Sequence, residues 1–267
     1  MSRDSVRILQ SSLLAGRGRV HAFSTRVGGV STGPFRALNL GHDLGDPATH
    51  VEENLARLLR TIGRPDDRVA TVVQVHGRHV TTVTASSPHP FPRVEADGLI
   101  TDVPGWLLGV RTADCVPVLM AAKVPHRVVA AVHAGWRGTA AGIVTEAVRL
   151  FQDSFGVPPG DILVALGPSI GPECYVVGPE VVAAIEAVLQ GHPRGVDGVV
   201  FRERDASGHR LRVHLQEANR RLLELAGVPP QSIDVLPWCV HCREDLFFSH
   251  RRDHGATGRM LSLIGLT

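Results

Sequence analysis

Four segments of the chain carry apolar residues at the three- and four-residue spacing of an amphipathic helix. In the clearest, GDPATHVEENLARLLRTIGRP, Asp46 can cap a helix whose first turn holds Pro47 and which stops at Gly63. One face of this helix carries Val51, Leu55, Leu58, Leu59 and Ile62. The same pattern predicts helices over residues 139–155, 179–189 and 214–226. Each has one apolar face to bury against a core.

Short apolar runs between these helices predict β-strands. They are VATVVQV, HVTTVT, ADGLIT, LLGVR, VPVLMA, RVVAAV, ILVAL, GVVF and IDVL. Several consecutive runs lie too close together for a crossover helix, so a regular βαβ array is not expected. The predicted fold is α/β (α+β), with layered mixed β-sheets flanked by a few helices. Because no linker or repeat interrupts the chain, residues 1–267 are expected to form a single domain.

Composition narrows the classes of function. A formal charge of +2 and an aromatic content of 4% argue against a nucleic-acid partner. No apolar run reaches the roughly 20 residues that span a bilayer, so no membrane association is expected. The N-terminus has no convincing signal peptide, which predicts a cytoplasmic protein. In that reducing compartment the four cysteines are expected to be thiols, metal ligands or nucleophiles and not disulfides.

Three predicted strand ends carry metal-binding side chains. His76 follows VVQV, Cys115 precedes VPVLM, and His133 ends RVVAAV. Strand ends can converge on one edge of a sheet, and two imidazoles with one thiolate suit a catalytic zinc that keeps an open fourth position. The alternative is a set of buried residues without a metal. Copper is less favoured: Met120 is the only methionine nearby, and the chain has no H-x-H pair for a multi-copper cluster.

A second cluster, PWCVHCREDLFFSHRRDHG, contains C-x-x-C followed by H-x-x-x-H. The residues are Cys239, Cys242, His250 and His254. Seven residues separate the two pairs, fewer than the roughly 12 of a C2H2 zinc finger, and apolar residues in the gap resemble a buried strand. A structural zinc at these four residues is therefore a minor alternative.

Glycine-rich loops next to arginines are candidate anion sites. HAGWRGTAAGIV could present backbone N–H groups at a helix N-terminus beside Arg137. FSTRVGGVSTGPFRALNLG offers Arg26 and Asn39, and SHRRDHGATGRM offers Arg252 together with two further arginines. Guanidinium groups that turn inward suit phosphate or carboxylate, although paired arginines more often form a solvated face.

These segments, together with VVQVHG, ADGLIT, RTADCVPVL and LGPSIGPECYVVG, resemble in order the motifs of the YfiH-type family from about residue 20 to the C-terminus. That family has been labelled laccase-domain or polyphenol oxidase, and its members are regarded as purine nucleoside phosphorylases. The resemblance implies a layered α/β fold and a zinc site at His76, Cys115 and His133. His79, which falls outside the motif, is expected at the surface.

The resemblance also implies phosphorolysis of adenosine, inosine and methylthioadenosine, with adenosine deamination as a companion activity. Phosphate would need arginines, for which Arg26, Arg137 and Arg252 are the candidates, with Asn39 beside the substrate. Asp114 is either a general acid or base, a partner of a ligand histidine, or a hydrogen-bonded turn residue. The rivals are a Cys–His hydrolase that edits peptidoglycan precursors, a copper oxidase, and a zinc-stabilised binding protein.

Overall fold

The computed structural model describes residues 5–16, 18–205 and 208–267. Within them the strands are β1 (Ile8–Leu9), β2 (Arg19–Ser24), β3 (Arg68–Thr71), β4 (Val80–Thr82), β5 (Gly98–Thr101), β6 (Trp106–Thr112), β7 (Val116–Ala122), β8 (Val129–Ala134), β9 (Ile162–Leu166), β10 (Val176–Val177), β11 (Val200–Asp205), β12 (Gly208–Val213), β13 (Ile233–Val235) and β14 (Met260–Leu266). The α-helices are α1 (Ala48–Thr61), α2 (Trp136–Ala140), α3 (Ile143–Phe155), α4 (Pro179–Val188) and α5 (Leu215–Leu225). None of these described helices combines the length and apolar character that a membrane crossing requires.

The strands form two large mixed sheets and one small sheet. Strand order is β1-β2-β14-β6-β3 in the first sheet and β13-β9-β7-β8-β5-β4 in the second, and β10-β12-β11 form the third. The pairs β3/β6, β4/β5 and β9/β13 are parallel, and the remaining neighbours are antiparallel. The prediction of mixed sheets covered by a few helices is confirmed.

The two large sheets pack face to face. Leu119 of β7 lies in one apolar core with Leu108 of β6 and Ile264 of β14. Alternate residues of β7, such as Val118, point to the other face and pack under α3 and α5. Because both faces of β7 are covered, the strand is apolar at every position.

Helix α1 covers the outer face of the first sheet, where Leu58 packs with Leu107 and Leu263. The order of layers is therefore helix, sheet, sheet, helices. Asp46 does not cap α1, since the helix begins after Pro47 without a side-chain cap. Its carboxylate accepts hydrogen bonds from Ser31 and Asn39 instead.

The helix predicted over residues 139–155 is two helices. It starts earlier, at Trp136, and Gly142 interrupts it with a left-handed backbone (φ +78°) between α2 and α3. The helices predicted over 179–189 and 214–226 correspond to α4 and α5 within one residue at either end. Strands β1, β2, β10, β12 and β14 were not predicted.

Candidate metal and active site

The second sheet brings three ligand-type residues to one edge. Cys115 directly precedes β7, and His133 lies at the end of β8, opposite Pro117 in the antiparallel register. His76 lies in the loop between β3 and β4. The start of one antiparallel strand lies beside the end of its neighbour, so the strand order places Cys115 and His133 together, and His76 reaches them from its loop.

Their side chains form a compact group. Nε2 of His76 lies 3.9 Å from Sγ of Cys115, and the rings of His76 and His133 stand edge to face with centroids 4.8 Å apart. One ligand atom from each residue lies within 4.8 Å of the others. Among the described residues, this group consists of three potential metal ligands. His133 is buried and His76 is exposed.

Asp97, a residue missed in the sequence, holds this group from behind. It is fully buried just before β5, and its Oδ1 lies 2.8 Å from Nδ1 of His133. The same carboxylate accepts the backbone N–H groups of Val75, His76 and Gly77. A carboxylate on one ring nitrogen leaves the other nitrogen free to bind a metal, as is common for metal-ligating histidines.

Gly135 leaves the space in which the ligand side chains meet. A Cβ atom there would lie 2.8 Å from Cδ2 of His76 and 3.0 Å from Sγ of Cys115. Gly138 permits a second close approach, because its Cβ would lie 2.8 Å from the carbonyl oxygen of Gly77. The backbone at His76 is left-handed, with φ +60°. Such conformations are unfavourable for residues other than glycine and collect at functional sites.

Charges within the group favour a thiolate. Burial by itself raises the pKa of Cys115, but the charge and hydrogen bond of His133, with the bond from His76, lower it to about 6. Burial likewise opposes protonation of His133, yet Cys115 and Asp97 raise its pKa to about 9. Burial also disfavours the charged form of Asp97, but bonds from His133 and Gly77 hold its pKa below the usual value. A cysteine binds zinc as its thiolate, so this donor set fits the metal.

The group opens into a cavity of about 570 Å³. Small-molecule sites commonly have this size. Four arginines line it, namely Arg111, Arg137, Arg251 and Arg259, together with the rings of Trp136 and Tyr175. Because its lining is cationic and aromatic, the cavity suits a small ligand that is anionic or aromatic.

Residues 20–267 match the model of the family described as "Multi-copper polyphenol oxidoreductase laccase". The chain belongs to this family. Among its relatives is purine nucleoside phosphorylase YlmD of Geobacillus stearothermophilus, with 42% identity over 93% of this chain and 90% of the relative. Purine nucleoside phosphorylase YfiH of Escherichia coli is 38% identical over 94% and 95% of the two chains. The resemblance noted in the sequence is confirmed.

Solved structures of the family have the same fold. The crystal structure of YlmD from Geobacillus stearothermophilus superposes with a TM-score of 0.88 and 39% identity, over 100% of this chain and 97% of that one. The Bacillus licheniformis protein YfiH gives a TM-score of 0.86 with 34% identity, over 99% and 97%.

Three of the four candidate substrate-binding residues of this chain do not line the cavity. They are Arg26, Asn39 and Arg252. The Arg26 guanidinium lies 4.5 Å over the ring of Phe248 and donates to the carbonyl oxygens of Arg36 and Glu244. Arg252 donates to the backbone of the loop around Val240 and to Asp253. Both guanidinium groups are therefore engaged in holding loops together.

Asn39 contacts the cavity wall indirectly. It is fully buried, and its side-chain oxygen accepts the backbone N–H of Arg259 at 2.9 Å. The same oxygen accepts the N–H of Gly41. Arg137 is the one member of the predicted set that lines the cavity, where its guanidinium lies 4.4 Å over the ring of Trp136.

Asp114 lines the cavity, but both of its oxygens are engaged. Oδ1 accepts a hydrogen bond from Ser249 at 2.6 Å, and Oδ2 accepts the backbone N–H of Arg251 at 2.7 Å. These contacts match the hydrogen-bonded turn aspartate among the three alternatives, and Asp97 occupies the place beside the ligand histidine. His79 is exposed, as expected.

The four residues of the C-x-x-C and H-x-x-x-H pattern separate. His250 lines the cavity, while His254 is exposed. Cys242 lies beside Cys174 and His241 instead. Among the described residues these four side chains form no metal-binding group, so the minor alternative of a structural zinc with this ligand set is wrong.

Proposed function

We propose that the protein is a zinc-dependent purine nucleoside phosphorylase that acts on adenosine, inosine and S-methyl-5'-thioadenosine, with adenosine deamination as a side activity. The observation that carries the proposal is the His76–Cys115–His133 group opening into an arginine-lined cavity. The names of the relatives, purine nucleoside phosphorylase, support the same reaction class. We place the protein in the cytoplasm, where its free cysteines stay reduced.

His76, Cys115 and His133 would hold the zinc ion, and Asp97 would fix the orientation of His133. A bound zinc would supply Lewis-acid polarisation of a substrate oxygen or of the purine, and would activate water for the deamination. Copper could also bind this donor set, but zinc matches two imidazoles and one thiolate with an open position.

The arginines would bind phosphate. Arg111 keeps its guanidinium in place by donating from Nε to the carbonyl oxygen of Leu40 at 2.7 Å, and its pKa of about 10, lowered by burial, leaves it charged at neutral pH. Arg259 is anchored similarly to the carbonyls of Thr257 and Gly258. Such preorganised cations stabilise an anionic nucleophile before the reaction.

The nucleoside would bind against the aromatic wall. Trp136 and Tyr175 line the cavity and would contact the purine with the ring faces that Arg137 and Arg251 leave uncovered. Burial and the nearby Cys115 charge raise the pKa of Tyr175, so its hydroxyl stays a neutral donor. In phosphorolysis a phosphate oxygen bonds to C1′ while the bond from C1′ to the base breaks. The products are ribose 1-phosphate and the free base, which takes up a proton.

The test is a phosphate-dependence assay on zinc-loaded protein. We expect hypoxanthine release from inosine to require phosphate and to stop after chelation. Zinc added back should restore it, which separates metal loss from unfolding. Absence of release under every condition, with folded and zinc-loaded protein, would exclude phosphorolysis of this substrate.

A Cys–His hydrolase is the second candidate, and the low pKa of Cys115 favours it. Burial opposes the thiolate, but His133 outweighs it and lowers that pKa to about 6. Such a pair could cleave an amide, as in the editing of peptidoglycan precursors. The two functions differ in their dependence on metal. An alkylating reagent should abolish hydrolysis by the chelated protein if Cys115 is a nucleophile, whereas phosphorolysis should already be absent there.

A copper oxidase is not favoured by the residues, although the family description names one. Met120, the candidate axial ligand, is fully buried in the helix-side core. Met120 lies four strand positions beyond Val116, the residue that follows Cys115, and is therefore roughly 13 Å from Val116 along the strand. The chain also contains no H-x-H pair. A purely structural zinc would need a fourth protein ligand, and in the described residues the group has three.

A further inference from the structure

A second group of metal-binding side chains lies on the loops that follow β9 and β13. Sγ of Cys174 lies 3.3 Å from Sγ of Cys242. His241 completes a set whose ligand atoms all lie within 4.8 Å of one another. Cys239 is not one of these three residues, but it lies beside them: its charge acts on Cys174, and its sulfur accepts the backbone N–H of Gly171 at 3.2 Å. None of these residues takes part in the His76–Cys115–His133 group.

The fold brings the two loops together by strand order. β9 and β13 are parallel neighbours, so their chains leave the sheet side by side. The two loops continue the pairing through a bridge between Ser169 and Cys239, with Val240 donating to the carbonyl of Ser169 at 3.0 Å. Gly171 makes room here, because its Cβ would lie 3.1 Å from Cβ of Cys239.

These cysteines differ from ordinary core thiols. Cys242 is exposed, and Cys174 and Cys239 are only partly buried. A disulfide would use two of the sulfurs and leave the third cysteine and the imidazole without a role. Three sulfurs and one imidazole are a complete ligand set for a closed tetrahedral zinc. Zinc–sulfur bonds of about 2.3 Å place two sulfurs roughly 3.8 Å apart, near the separation of Cys174 and Cys242.

We propose that Cys174, Cys239, Cys242 and His241 bind a second, structural zinc ion. The ion joins the loop after β9 to the loop after β13. Because Tyr175 follows Cys174 directly and lines the active cavity, the site holds one cavity wall in place. Arg251 continues that wall, with its guanidinium 5.2 Å over the Tyr175 ring.

Metal analysis of Cys115→Ala protein tests this site without reference to activity. We expect two zinc ions in the wild-type protein, one in Cys115→Ala, and none when Cys174→Ser and Cys242→Ser are added. His254→Asn is the matched control: it removes the exposed one of the two histidines of the C-x-x-C and H-x-x-x-H pattern and should leave the zinc count unchanged.

Cobalt substitution identifies the ligands. In Cys115→Ala protein loaded with Co²⁺, the sulfur-to-cobalt absorption should keep about three quarters of its wild-type intensity, because three of the four ligand sulfurs remain. A folded Cys115→Ala protein with no metal, or with a Cys174–Cys242 disulfide found by peptide mapping of protein kept under reducing conditions, would overturn the proposal. This result stands even if the Cys174→Ser and Cys242→Ser protein fails to fold. It is also independent of whether inosine is cleaved.

Discussion

Asp97 forms two hydrogen bonds with His133: its Oδ1 lies 2.8 Å from Nδ1 of His133, and its backbone carbonyl accepts the backbone N–H of His133 at 2.7 Å. The same carboxylate binds the backbone of the loop that carries His76. One buried side chain therefore sets the positions of two of the three residues of the candidate metal site.

Asp97→Asn should weaken zinc binding while the ligands remain. The amide has one acceptor oxygen where the carboxylate has two, so at least one of the N–H groups of His76, Gly77 or the His133 ring loses its partner. Loss of a carboxylate behind a ligand histidine typically costs 10- to 100-fold in metal affinity. Competition with a chromophoric chelator measures this. Asp102→Asn, an exposed change a few residues away, should leave the affinity unchanged. Equal affinity of both variants would remove Asp97 from the site.

Gly135→Ala should disrupt the site through sterics alone. The added methyl group meets His76 at 2.8 Å and Cys115 at 3.0 Å, so one ligand must move. We expect zinc content and phosphorolysis to fall together, while the circular dichroism spectrum is retained. Gly160→Ala is the control, since its Cβ meets no atom within 4 Å. A Gly135→Ala protein with full zinc occupancy would show that the ligands can bind from another arrangement.

The proximity of His76, Cys115 and His133 could be predicted because its evidence is local. His76, Cys115 and His133 each adjoin an apolar run, and strand ends gather at sheet edges. Asp97 was missed because the Asp-Gly pair in ADGLIT resembles an ordinary turn at the start of a strand. Its role depends on burial and on four partners from two other segments. Those partners are defined only by the tertiary structure.

The roles of the arginines also depend on partners that only the tertiary structure defines. Arg26 and Arg252 lie in polar, glycine-rich segments like those of a binding site. In the fold, however, their guanidinium groups donate hydrogen bonds to backbone carbonyl groups of neighbouring loops. Arg111 is part of an apolar strand and gave no signal, although it reaches the cavity from β6. Strands β2 and β14 pair across some 240 residues, between Phe23 and Ser262 for example, so neither is identified by a neighbouring partner in sequence.

Arg137→Ala should raise the KM for phosphate. Arg137 is exposed to the cavity and its guanidinium rests on Trp136, so its removal takes away one charge-assisted contact without opening the core. A hydrogen bond to a charged group contributes about 1.5–3 kcal/mol, which corresponds to roughly a tenfold or larger increase in KM. Initial rates at varied phosphate and saturating inosine measure it. Arg149→Gln removes the same charge from an exposed position on α3 and is the control. An unchanged KM would exclude Arg137 as a phosphate ligand.

His21→Gln should reduce the amount by which the free energy of unfolding falls in acid. Burial and the nearby Arg19 lower the pKa of His21 to about 4, and its Nε2 accepts the N–H of Ser11 at 2.9 Å. The unfolded imidazole has its ordinary pKa of about 6.5, so the unfolded chain binds a proton first. Stability is therefore fully present above about pH 6.5 and is lost as the pH falls toward 4, by about 3 kcal/mol at pH 4.

Urea unfolding of the two proteins at several pH values between 7 and 4 isolates this effect. His42 and His214 also have lowered pKa values, mainly through burial, and any metal bound at His76, Cys115 and His133 would be released in acid, so only the difference between the proteins is informative. We expect His21→Gln to be less stable at pH 7, since the fit to Ser11 changes, but to lose less stability on acidification. If the two curves stay parallel across this range, folding does not lower the pKa of His21, and burial does not hold its imidazole neutral.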